Sequence, residues 1–287
     1  MKIYIKFITI TFFKSLLFVL TIMFSLVFIL NLLSELEFFK NESVDLNFTL
    51  FMSLINSPIL IFDLFPFIVL ITTQLFFIKF FENKEIEIFK YSGLKNSKII
   101  YILSILSIIT GIFIITIFYN LSSNLKNIYL EIKSTYTTDG KYLAVITKNG
   151  LWIKDKIADK IIITNASAIN QNFLKNVFIT EFDENYKKLN SSTTEVDMYL
   201  LKLISYPVYL LLIALFSSVI MLNIKQIRGT TIKISIGLFL SVIIYYLNNF
   251  SYVLGSTERI SIISSILLPL LILILINCLT LYKINEK

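Results

Sequence analysis

Six long apolar runs, three on each side of a polar middle stretch, restrict this chain more than any motif it carries. A bilayer core about 30 Å thick takes ~20 apolar residues per spanning helix. The runs cover approximately Ser15 to Leu33, Leu54 to Ile78, Ile99 to Tyr119, Leu203 to Leu222, Ile234 to Leu247 and Ile260 to Leu281. The expected fold class is an α-helical membrane protein with six transmembrane helices, 3+3, and a small inserted β domain. The division is 1–121 for the N-terminal membrane half, 122–200 for the β domain and 201–287 for the C-terminal membrane half. Composition agrees: 56% of residues are hydrophobic and 16% charged, against roughly half and a quarter in soluble domains.

The N-terminus, Met1-Lys2-Ile3-Tyr4-Ile5-Lys6 before an apolar run, has the start of a signal peptide. The run is too long and no small-x-small cleavage site follows it, so an uncleaved first span is expected. Orientation follows from basic residues in short loops. Lys2, Lys6, Lys14, the lysines between 79 and 98, Lys225, Arg228, Lys233, Lys283 and Lys287 fall on one side. Lys40 and Arg259 alone fall in the opposite short loops. Both termini are therefore expected in the cytoplasm and the β domain outside. The net charge of +7 belongs to loops near anionic lipid and not to a nucleic-acid partner.

The chain has no His, which removes the commonest general base and metal ligand. Its one cysteine, Cys278, lies in the last apolar run, so neither an internal disulfide nor a cysteine zinc site is available and no metal site is expected. No Gly-x-x-x-x-Gly-Lys-[Ser/Thr] loop occurs; Gly93-Leu94-Lys95-Asn96-Ser97 lacks the first glycine. No Gly-x-Ser-x-Gly elbow occurs either. The expectation is a non-catalytic chain that binds no cofactor. Asp63, close to Pro66, is the clearest charge within a span and is read either as a functional carboxylate or as one at the water interface.

The middle stretch is β in character. Lys141 to Thr147 reads as a strand and Asn149-Gly150 as a two-residue hairpin turn, with Leu151-Trp152-Ile153-Lys154 opening the partner strand. Lys160 to Ile169, Asn176 to Phe182 and, after a turn at Glu184-Asn185, Tyr186 to Leu189 complete about five short strands. Such a small sheet has open edges and gains from a partner domain. Between the second and third spans, Glu82 to Gly93 reads as a short surface helix. Ile86, Phe89 and Lys90 share a face, Gly93 is the stop, and Phe89 and Glu85 are offered to a partner.

At this loop the chain resembles the LptF/LptG family, the permease subunits of the lipopolysaccharide-export ABC transporter. Glu85-Ile86-Glu87-Ile88-Phe89-Lys90-Tyr91-Ser92-Gly93 is similar to the family pattern Glu-Leu-x-x-x-Arg-x-x-Gly, with Lys90 in place of Arg. Pro58 and Pro66 match two prolines of the second span, and Pro207 one at the start of the fourth. Gly150-Leu151-Trp152-Ile153-Lys154-Asp155 resembles a periplasmic segment typical of the LptG branch. The β domain is shorter than the family's jellyroll, and where the family has basic residues after the first span this chain has Asn31, Glu35, Glu37 and Lys40.

The resemblance implies a multi-pass inner-membrane protein with a periplasmic, shortened β-jellyroll. Its implied partners are an LptB-like ATPase dimer carrying ATP and Mg, a second LptF/LptG-type permease, and LptC- and LptA-like periplasmic proteins. The implied coupling residues are Glu85, Ile86, Phe89, Lys90 and Gly93, on a helix at about 82–93. The residues considered for substrate are Lys40, Asn31, Asn248 and Asn249, the last two at an outer gate of the fifth span or in helix-to-helix hydrogen bonds. The implied substrate is lipopolysaccharide or a related lipid, drawn in through gates formed by the first and fifth spans. A secondary transporter and a membrane-anchored assembly scaffold are the other classes the layout admits; sparse charge in the spans and the lack of a visible repeat weigh against the first.

Overall fold

The computed structural model describes residues 3–41, 44–136, 144–147, 150–157, 160–170, 173–182, 194–224, 229–257 and 259–285. Among these, six helices are long and apolar enough to cross a membrane. They are α1 (Ile3–Phe38), α2 (Leu46–Glu82), a third rod running Asn96–Ser134, then α6 (Thr194–Asn223), α7 (Thr230–Ser256) and α8 (Ile262–Asn285). The rod is made of α4 (Asn96–Phe113), a π-helical stretch (Ile114–Tyr119) and α5 (Asn120–Ser134). A short α3 (Glu85–Tyr91) joins α2 to α4. Helices are the natural answer to such sequence, because lipid offers backbone N–H and C=O groups no partners outside the chain.

Several helices outrun their apolar runs. At 1.5 Å per residue α1 is about 54 Å long, well beyond the ~30 Å hydrocarbon layer. The third rod does not end at Tyr119, where the apolar run stops, but continues to Ser134. The reason is a change of pattern. The α5 segment is amphipathic, and its Leu125, Tyr129 and Ile132 pack onto Phe39, Met52 and Ile55 beyond the apolar layer. Likewise α6 starts at Thr194, ahead of its apolar run. The bundle thus has an α3 end and a sheet end, the latter being where the chain leaves α5 and returns in α6.

Pro58 and Pro66 lie inside α2, Pro207 inside α6 and Pro269 inside α8, all without ending their helices. Pro207 meets the third rod at Gly111. A Cβ added there would stand 2.8 Å from the Pro207 Cα. An added Cβ would meet the Gln74 side chain at Gly237, and the side chains of Ser265 and Met198 at Gly255. At Gly111 the small residue lets backbones approach where no hydrophobic force drives helices together.

The described strands are β1 (Ala144–Thr147), β2 (Gly150–Ile157), β3 (Lys160–Asn170) and β4 (Phe173–Phe182). They form one antiparallel sheet in the order β1-β2-β3-β4. This is one strand fewer than the five expected; Tyr186 to Leu189, the Glu184-Asn185 turn and Asn149 lie outside the described residues. The hairpin register also differs from expectation. Gly150 pairs with Thr147, so it opens the ladder of β2 and is not a turn residue. Trp152 pairs with Val145. A one-residue shift of this kind reverses which face each side chain takes.

Gly111→Ala should lower the thermal midpoint of the detergent-purified chain by an amount equivalent to about 1–3 kcal/mol. Pro207→Ala should not rescue it, because the nearest obstructing atom is backbone.

Candidate functional site

Among the described residues, three polar or partly exposed regions bear on the sequence expectations. The first is α3. After α2, Lys84 adopts φ 58, the one non-glycine residue with positive φ among those described, and makes the corner into α3. Asn83 Nδ2 donates to Glu85 Oε1 at 3.1 Å. At the far end Gly93 takes φ 77. The Leu94 N–H donates to the Phe89 carbonyl (2.8 Å) and the Gly93 N–H to that of Lys90 (2.9 Å). This pair of bonds closes a helix C-terminus at a left-handed glycine. Ile86 is fully buried in the cluster at this end of the bundle.

Phe89 differs from expectation. Its ring stacks on Phe80 (centroids 5.4 Å apart) and meets Phe7 edge-on (5.9 Å), so it anchors α3 to α2 and α1. The residues that α3 turns outward are Ile88, 60% exposed, and Tyr91, 92% exposed, with Glu87 and Lys90 beside them. Glu85 is half-buried. A helix seven residues long has about two turns, and its anchoring face took Ile86 and Phe89 together.

The second region is a buried polar network at the sheet end of α1, α2 and α5. Lys133 donates to both oxygens of Glu35 (2.9 and 2.8 Å) and to the Tyr129 hydroxyl (2.6 Å), and that hydroxyl donates to Glu35 Oε1 at 2.7 Å. The ion pair is almost fully buried, 7% and 2% exposed. One turn away, Lys126 donates to Asn56 Oδ1 (2.8 Å), Asn56 Nδ2 to Asn31 Oδ1 (2.9 Å) and Asn31 Nδ2 to the Ser53 carbonyl (2.9 Å). The Asn31 amide is thus engaged between helices and buried, not presented to a ligand. Lys40 stands exposed in the 3-10 turn Phe39–Asn41, apart from this network.

The third region is a cavity of about 330 Å³ at the sheet end, between α2, α6, α7 and α8. Asn248 and Asn249 both line it, together with Asp63 and Lys202. Lys202 Nζ stands 3.5 Å from Asp63 Oδ1 and 5.5 Å from the centre of the Tyr252 ring. Asp63 is exposed, in keeping with a carboxylate that water reaches. Tyrosines form much of the wall; Tyr206 stacks on Phe62 and donates its hydroxyl to the Phe62 carbonyl at 2.9 Å. Cys278 is exposed on α8.

A family model described as "Lipopolysaccharide export system permease LptF/LptG" matches residues 6–193. The chain belongs to the LptF/LptG permease family. The match runs from α1 through the sheet and takes in α3 and the Glu35–Lys133 pair; α6, α7 and α8 follow it. It covers LptF and LptG together and does not separate the branches. No curated protein matches the chain. The family supports the role of a transmembrane, non-catalytic permease component of lipopolysaccharide transport.

Sequence reasoning misses the Glu35–Lys133 pair, since Glu35 follows the first apolar run and Lys133 falls within 122–200, the stretch expected to be β. The available signal was the helical spacing of Leu125, Tyr129, Ile132 and Lys133, which carries the rod past its apolar run. Lys133→Ala should destabilise the purified chain by about 3–5 kcal/mol, because it strands a buried carboxylate. Glu35→Leu combined with Lys133→Met should recover most of that loss, a non-additivity read by a denaturant double-mutant cycle.

Proposed function

We propose that this chain is one of two permease subunits of an ATP-driven ABC exporter in the bacterial inner membrane. It extracts lipopolysaccharide or a related lipid and passes it to a periplasmic bridge of LptC- and LptA-like proteins. The observation that carries this reading is the exposure of α1 and α7. Only 17% and 12% of their apolar windows are buried inside the chain, against 33–56% for the other four spans. These are the first and fifth spans, the two that the family resemblance assigns to lateral gates beside a second permease. Two spans left open by their own subunit are available to that neighbour and to entering lipid.

The work is large. Each buried CH₂ is worth ~0.8 kcal/mol, so lifting a lipid with several acyl chains costs tens of kcal/mol. A chain without a phosphate loop draws this from a separate LptB-like ATPase, which holds the ATP and Mg. In this reading α3 is the coupling element and faces the cytoplasm, as the short-loop lysines imply. Ile88 and Tyr91 enter the ATPase groove, Glu87 and Lys90 flank them, and Ile86, Phe89 and Gly93 hold the helix in place. The sheet is periplasmic, a shortened jellyroll. The outermost of its described strands, β4, presents Val177, Phe178 and Ile179, all exposed, toward the next β domain.

Tyr91→Asp and Ile88→Asp should each cut co-purification of an LptB-like ATPase at least about tenfold, equivalent to the loss of one buried apolar side chain, while membrane insertion stays normal. Phe89→Asp should also lower thermal stability, which separates anchoring from contact. Unchanged association in both outward variants would remove the coupling assignment. In a Cys278→Ser background, cysteine at position 40 should react with an impermeant maleimide from outside, and cysteine at position 91 only after permeabilisation. The opposite pattern would invert the topology.

A further inference from the structure

We propose that the cavity between α2, α6, α7 and α8 holds the neutral, hydroxyl-bearing part of a saccharide headgroup and not a phosphate. The proposal rests on the lipid-export reading above and specifies what part of the lipid this chain recognises.

The lining decides the chemistry. Tyr199, Tyr245 and Tyr252 bring aromatic rings and hydroxyls to the lining, with Lys202 over the Tyr252 ring, and Asn248 and Asn249 bring amides that both donate and accept. A sugar ring has the same double character: C–H faces that lie on aromatic rings, and hydroxyls at its edge that donate and accept. A volume of about 330 Å³ is at the small end of the ~300–1,000 Å³ typical of ligand pockets, room for a compact headgroup unit and not for acyl chains.

The charges decide against phosphate. Phosphate recognition calls on Arg or Lys with charge to spare. Lys202 is the cation of this cavity, and Asp63 stands 3.5 Å from it. A phosphate reaching Lys202 must displace that carboxylate or lie beside it, and like charges so close repel. A carboxylate also holds Lys133, through both oxygens of Glu35, whereas Lys126 donates to the neutral amide oxygen of Asn56. Each lysine of the described spanning helices at the sheet end therefore faces a side-chain oxygen of its own chain.

The test uses the full chain in phosphatidylcholine nanodiscs, with a fluorescent, phosphate-free acylated glucosamine disaccharide as the bound probe. Three competitors are compared: the unlabelled phosphate-free disaccharide lipid, its phosphorylated form and phosphatidic acid. The two disaccharides should compete within about threefold of each other, and phosphatidic acid about tenfold or more weakly. Asn249→Ala and Tyr252→Leu should each weaken probe binding about three- to tenfold, as expected for a lost hydrogen bond or ring contact. Asp63→Asn should release Lys202 and improve competition by phosphatidic acid about tenfold, a gain that misfolding cannot produce. The proposal is overturned if phosphate removal weakens competition more than threefold, if phosphatidic acid competes as well as the disaccharides, or if correctly folded Asn249→Ala and Tyr252→Leu chains bind the probe unchanged. ATPase association is read separately: its loss would end the exporter reading and leave these ratios standing, and the reverse holds equally.

Discussion

Everything in this bundle follows from a mismatch between helix length and membrane thickness. Backbone groups in hydrocarbon must find their partners within the helix, so a span once started continues until it is clear of lipid. Here α1, α2 and the third rod continue well past that point. Their overhangs provide what the apolar layer cannot: a zone in which charged residues can be buried between helices at tolerable cost. Glu35, Tyr129 and Lys133 all lie in that zone.

The overhangs also separate two kinds of cohesion. Within the apolar layer the helices hold together by shape, with Gly111 against Pro207 and Gly237 against Gln74. At the sheet end they hold together by directed hydrogen bonds, of which the Lys126–Asn56–Asn31 relay is the longest. The two-oxygen contact of Lys133 with Glu35 adds a geometric requirement that shape-based contacts lack. The result is an α1 that packs one face along its length, through Ile8 and Phe12 at the α3 end and Val19 and Val27 further on, and adds directed bonds at its sheet end.

What the sequence made legible was whatever depends on one helix or strand at a time. The six spans, the stop at Gly93 and the extent of β3 from Lys160 all follow from local pattern, as does the presence of a hairpin near Gly150 but not its register. Contacts between elements were not legible in the same way. Phe89 and Ile88 are neighbours of equal apolarity, and only the presence of Phe7 and Phe80 decides which one turns inward. Asn31 and Asn249 are the same residue type at the sheet ends of two spans. One is closed between α1 and α2, and the other borders a cavity. Hydropathy averages over both faces of a helix, so it hid α5, whose polar face faces water and whose other face completes the core at that end.

The corner at Lys84 has a mechanical meaning. A glycine at that point would let α3 swing through many angles about the end of α2. A lysine in the left-handed region has one narrow well available to it, and Phe80 and Phe89 stacked across the joint narrow it further. The pair is built as a bent lever and not as a tether: a push against the short arm would reach the long arm as torque.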